Sequence, residues 1–84
     1  MNKIYIGNLA YKVTQDDLSD FFSEHGDVGS ATVIMDRDTG RSKGFGFVEF
    51  EAGQNIDAII EKTNGAELLG RAMRVALANK KESN

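Results

Sequence analysis

The chain has 84 residues, enough for one small domain near the lower limit at which a single hydrophobic core suffices. With 40% apolar and 27% charged residues it reads as an ordinary soluble globule, and the lack of cysteine excludes disulfides and cysteinate metal sites. A net charge of −3 weighs against strong non-specific attraction to nucleic acid, and no apolar run approaches the ~18 residues of a membrane span. Met1-Asn2-Lys3 leads straight into a strand pattern rather than a signal peptide, so the expectation is a soluble protein inside the cell with no membrane contact.

In chain order, residues 3 to 7 alternate as Lys-Ile-Tyr-Ile-Gly, a short half-buried strand with Ile4 and Ile6 inward and Lys3 and Tyr5 outward. Thr14 reads as a helix N-cap, because Asp17 stands three residues on and Val13 and Leu18 occupy the staple positions. Leu18, Phe21 and Phe22 supply the apolar stripe of that helix, and Gly26 is expected to end it as a C-cap. Residues 28 to 35 form a second strand, with Val28, Ala31 and Val33 inward and Thr32 and Ile34 outward. Asp36 to Ser42, containing Asp38-Thr39-Gly40, is a turn.

The third strand is Lys43-Gly44-Phe45-Gly46-Phe47-Val48-Glu49-Phe50. Side chains on a strand alternate between faces, so Lys43, Phe45, Phe47 and Glu49 share one side and Gly44, Gly46, Val48 and Phe50 the other. The second set buries, and its two glycines read as places of close helix approach. They do not form a phosphate loop, since neither the Walker pattern nor the dinucleotide fingerprint is present. Ile56, Ile59 and Ile60 share one face of a second helix that Asn64-Gly65 stops. Met73, Val75 and Leu77 alternate inward in a last strand, which puts Arg74 and Ala76 on the opposite face. One domain is therefore expected over residues 1–79, with a short polar tail at 80–84.

The order β-α-β-β-α-β is an α+β, ferredoxin-like arrangement: a four-stranded antiparallel sheet with two helices on one face. Both helices need the same apolar sheet face, so the other stays in water. That face carries Tyr5, Phe45 and Phe47, three rings that folding did not need to leave exposed. Lys3, Arg37, Arg41, Lys43, Arg74, Lys80 and Lys81 fall on or beside these strands and their loops. The acids Asp16, Asp17, Asp20, Glu24 and Asp27 lie instead in one stretch without a single Lys or Arg. Rings behind cations make a nucleobase stacking platform, and the global charge then predicts weak non-specific binding rather than none.

The octamer from Lys43 to Phe50 matches the longer signature of the RNA recognition motif at all eight positions: basic, Gly, aromatic, Gly or Ala, Phe, Val, any, aromatic. Ile4-Tyr5-Ile6-Gly7-Asn8-Leu9 resembles the shorter signature, and the resemblance covers about residues 2 to 79, in the manner of the stand-alone single-domain members of bacteria. It implies that Tyr5 and Phe45 each stack on one base while Phe47 lies against a ribose or a third base. It implies a phosphate contact for Lys43, and Lys3, on a platform strand, is counted among the candidate RNA-binding residues. Asn8, Arg74, Asn79 and Lys80 match positions that bond base edges or backbone, and Arg37 and Arg41 would grip the phosphate chain. The implied partner is single-stranded RNA, with single-stranded DNA also accommodated because stacking ignores the 2′-hydroxyl. The implied role is post-transcriptional, in the cytoplasm, or in the nucleus if the chain is a fragment of a larger eukaryotic protein.

The chain departs from the family pattern mainly on the buried side. Ile56 and Ile59 stand where Ala is usual and Thr63 where Leu or Met is usual, which predicts a shifted second helix. Ala76 offers little hydrogen bonding on the sheet face, and Leu69 stands where a polar residue is common. His25 lacks a partner cluster and reads as a packing residue. No nucleophile–base pair or metal cluster points to an enzyme, no cofactor is expected, and the expected state is a monomer. The competing reading is a protein-interaction domain that docks a basic partner on the acidic first helix or uses Leu69 as an exposed contact. It is weakened because Asn64-Gly65-Ala66-Glu67-Leu68 lacks the Arg-x-Phe element of relatives that work that way.

Overall fold

A computed structural model describes residues 2–78. The chain runs through β1 (Lys3–Gly7), α1 (Gln15–Ser23), β2 (Val28–Met35), β3 (Ser42–Phe50), α2 (Ile56–Thr63), β4 (Glu67–Leu68), β5 (Arg71–Ala72) and β6 (Arg74–Leu77). The main sheet is antiparallel with order β2-β3-β1-β6, and β4 and β5 form a separate two-stranded hairpin. The ferredoxin-like expectation therefore holds, with β1 and β3 at the centre of the sheet. The hairpin is an addition. Its turn places Leu69 at φ 53° and Gly70 at φ 91°, the two positive angles of a type I′ connection.

The core lies between one sheet face and the two helices. Ile4 and Ile6 of β1, Val48 and Phe50 of β3, Leu18 and Phe22 of α1 and Ile59 of α2 are all buried. Phe22 meets Phe50 edge-on with centroids 6.2 Å apart, which fixes α1 over β3. The start of α1 is as expected: the Asp17 N–H donates to Thr14 Oγ1 at 3.1 Å, and the Thr14 N–H donates to the Asp17 carboxylate at 2.9 Å. Thr63, the small residue on α2, is fully buried and donates its hydroxyl to the Ile59 carbonyl at 2.7 Å, so its polarity is absorbed inside the helix. His25 packs on Phe21, with ring centroids 5.4 Å apart.

Several expectations need correction. Gly26 is not a left-handed C-cap: α1 ends at Ser23 with Glu24 as its cap, and the Gly26 N–H closes on the Phe22 carbonyl. Its small size matters because a Cβ there would stand 2.9 Å from the Gln54 side-chain oxygen and 3.0 Å from Ile59 Cδ1. Nor do helices crowd Gly46. A Cβ on it would collide with the Thr32 carbonyl of β2 and come 3.2 Å from the Val33 Cα. Leu77 is exposed rather than inward.

Two irregularities in the β2–β3 pairing position the open face. Val28 pairs with Phe50 and Ser30 with Glu49, so β2 carries one extra residue there, a bulge. That bulge reconciles the odd spacing of Val28 and Ala31 with a shared inward direction. At the other end Val33 pairs with Gly46 and Met35 with Ser42, so β3 carries the surplus between them. Gly44 sits in that surplus at φ 86°, and its carbonyl accepts from the Leu9 N–H at 2.9 Å. β3 is thereby pulled off strict alternation toward the segment after β1.

Candidate nucleic-acid interface

Register sorts the open face into rows. Thr32 stands opposite Phe47, Phe47 opposite Tyr5 and Tyr5 opposite Ala76, one row crossing all four strands of the main sheet. The next row is Ser30, Glu49 and Lys3. Phe45 packs beside these, its ring 5.9 Å from Tyr5 and tilted by 37°. Tyr5 lies 5.9 Å from Phe47 at 63°, and the two phenylalanines are 6.3 Å apart at 89°. All three are half-buried. Phe47 therefore meets both other rings edge to face, a favourable geometry, while Tyr5 and Phe45 lie tilted side by side, and each ring keeps part of its surface open.

Gly7 sets the attitude of the central ring. A Cβ at Gly7 would stand 2.6 Å from the Tyr5 hydroxyl oxygen, so the glycine leaves room for the ring to lie down along its own strand. The Lys3 ammonium is 5.2 Å from the centroid of Phe47, within cation–π range. A cation thus hovers over the platform.

Lys43 is placed differently from its alternation. The left-handed turn at Gly44 takes it out of line with Phe45 and Phe47. It lines a hollow of ≈ 240 Å³ at the rim with Asn8, Tyr11 and Arg71. Asn8 adopts φ 58°, a conformation Asn tolerates, and its amide donates to the Ala72 carbonyl at 2.7 Å. Its oxygen accepts from the Arg71 guanidinium at 2.6 Å. The side chain expected to bond base edges is thus first a clamp joining β1 to the hairpin. Arg71 went unnoticed in the sequence because the hairpin that carries it did. Tyr11, 74% exposed on the same rim, was missed as well; only its exposure marks it.

The remaining cations frame the face. Arg74 pairs in register with Gly7 and borders a hollow of ≈ 610 Å³ with Tyr5, Asn64, Gly65 and Ala76. Arg37 and Arg41 are exposed in the loop between β2 and β3. Asp36 braces that loop by accepting from the Asp38 and Thr39 N–H groups at 2.8 and 3.3 Å. Asn79 and Lys80 lie outside the described residues. On the far side, Asp16, Asp20 and Glu24 are exposed, whereas Asp17 is committed to the cap of α1.

An open antiparallel sheet bearing three mutually supported rings and a fringe of cations defines a single-stranded nucleic-acid binding module. The sequence profile of the RNA recognition motif matches residues 4–74. The chain belongs to that family. It is 51% identical over 79 residues to the putative RNA-binding protein RbpE of Nostoc sp. strain PCC 7120, covering 94% of this chain and 80% of that protein. It is 49% identical over 77 residues to the chloroplastic 29 kDa ribonucleoprotein A of Nicotiana sylvestris, covering 92% of this chain but only 28% of the relative. The crystal structure of RNA-binding protein PG1 superposes with a TM-score of 0.87 at 42% identity, covering 99% of this chain and 100% of that one.

Proposed function

We propose that this protein binds single-stranded RNA on the open face of its sheet, as a monomeric, non-enzymatic module over residues 1–79 with modest sequence selectivity. The observation that carries the reading is the cluster of Tyr5, Phe45 and Phe47, packed on one another yet left half-open on the uncovered side of the sheet. Register favours a different division of roles from the one the resemblance implies, with Phe47 rather than Phe45 carrying the second base. Tyr5 and Phe47 stand opposite each other on adjacent strands, so a chain crossing the sheet lays successive bases on them. Phe45, one step along β3, then meets the sugars between those bases. Arg37, Arg41, Lys43, Arg74 and Lys80 serve the phosphates, Lys3 stands beside the rings, and single-stranded DNA binds by the same stacking.

Support also comes from the relatives, one of them a putative RNA-binding protein and another a ribonucleoprotein. Their cyanobacterial and chloroplast origins agree with action in a bacterial-type cytoplasm. Base–aromatic stacking contributes about 1–3 kcal/mol per base. A few stacked bases, offset by ordering costs, correspond to roughly micromolar affinity. Titration of a labelled uridine-rich heptamer tests the reading. Phe47→Ala should weaken binding about five- to 150-fold, and Phe45→Ala by a smaller factor, while circular dichroism stays that of the wild type. Folded variants that bind like the wild type would overturn it.

A further inference from the structure

The second row of the open face holds a carboxylate that phosphate binding does not explain. Glu49 is exposed, one residue past Phe47 plus one along β3, and it shares the face of the rings. Beside Phe47 it lines a groove of ≈ 400 Å³ with Lys3, Ser30, Thr32 and Ile34. A negative charge on a surface that attracts a polyanion costs affinity unless it recognises something other than phosphate. Carboxylate oxygens only accept hydrogen bonds, so the group it fits is a donor on a base edge.

Lys3 supplies the other half. It is the direct cross-strand partner of Glu49, and its ammonium already lies 5.2 Å from the Phe47 centroid. One row therefore offers three donors on an ammonium next to two acceptor oxygens on a carboxylate. Among the four bases, guanine alone presents the matching Watson–Crick edge: the O6 acceptor, then the N1–H and N2–H donors side by side. Uracil would set a carbonyl oxygen against the carboxylate. Cytosine and adenine present a ring nitrogen acceptor beside their single amino group. The Ser30 and Thr32 hydroxyls along the groove can serve as either donor or acceptor and do not oppose this choice.

Resting on the RNA-binding reading above, we infer that Glu49 and Lys3 form a guanine-selective subsite at the β2 side of Phe47. The base stacked on Phe47 displaces the Lys3 ammonium from over the ring and turns its Watson–Crick edge into the groove. Glu49 accepts from N1–H and N2–H together, and Lys3, now at the edge of the base, donates to O6. A paired, charge-assisted contact of this kind discriminates far better than stacking, because a wrong base leaves the carboxylate unpartnered. Selectivity of this chain then resides in one position of its RNA rather than being spread along the strand.

The test uses uridine heptamers carrying a single central guanosine, inosine, adenosine or uridine, titrated against the full chain. Inosine keeps O6 and N1–H but lacks the 2-amino group. The wild type should bind the guanosine heptamer on the order of tenfold more tightly than the adenosine and uridine heptamers, with inosine intermediate. Glu49→Gln should bring the guanosine-to-inosine ratio close to one. Equal binding of all four heptamers by the wild type overturns the inference alone, provided Phe47→Ala still weakens every one of them. A Glu49→Gln variant that shifts all four by the same factor also overturns it, since the carboxylate then acts only on phosphate. Failure of every heptamer to bind the wild type overturns both this inference and the reading it rests on.

Discussion

The two flanks of the ring platform differ in kind. On the β6 side, the hollow beside Tyr5 is bordered by Gly65, Ala72 and Ala76, with Arg74 as its main cation. On the β2 side, the groove beside Phe47 carries Lys3, Ser30, Thr32 and Glu49, each able to bond a base edge. The amides of the β6 flank, Asn8 and Asn64, are engaged with Ala72, Arg71 and Val75. That flank therefore offers mostly backbone and charge, and the other a set of directed donors and acceptors. On the reading proposed above, stacking locates the RNA, the β6 flank holds its backbone, and the β2 flank distinguishes its bases.

The flanks can be separated most strongly through Gly46. A Cβ there would collide with the Thr32 carbonyl, so Gly46→Ala must push β2 away from β3. Overpacking of this sort costs about 1–3 kcal/mol, and a domain this small loses about 4–8 °C of melting temperature per kcal/mol. Thermal unfolding should show that loss, and in the surviving folded protein base discrimination should fall more than affinity. Arg74→Ala should cut affinity by a smaller amount, equally for every sequence. It should also lower the slope of log affinity against log salt by about 0.7, the value for one phosphate contact on a single strand. If Arg74→Ala instead changes base preference, the division of labour is wrong. Smallest of all, Asp20→Asn on the exposed side of α1 should change RNA affinity less than about twofold in calorimetry, because salt screens charges beyond about 8 Å.

Most of the fold was legible because local and global signals agree. Thr14 and Asp17 announce the start of α1, the alternation of Ile4 and Ile6 announces β1, and both signatures put Tyr5, Phe45 and Phe47 on the face left uncovered. What escaped was set by backbone irregularity. Alternation assumes an unbroken ladder, but the bulge near Ser30 and the left-handed Gly44 each reset it, which moved Lys43 to the rim and aligned Ser30 with Glu49. The β4–β5 hairpin hides in a stretch of two-residue strands too short for a periodic signal, so Arg71 and its bond to Asn8 were invisible. Glu49 was already on the correct face by alternation. It passed unread because its position in the octamer admits any residue, and only the groove reveals what surrounds it.

The direct test of the whole account is to map backbone amide shifts on titration with the guanosine-containing heptamer. The account predicts the largest changes at Tyr5, Phe45, Phe47 and Glu49, smaller ones at Arg74, and none along Asp16 to Ser23. Changes centred on α1 with the β1 and β3 amides unmoved would contradict it.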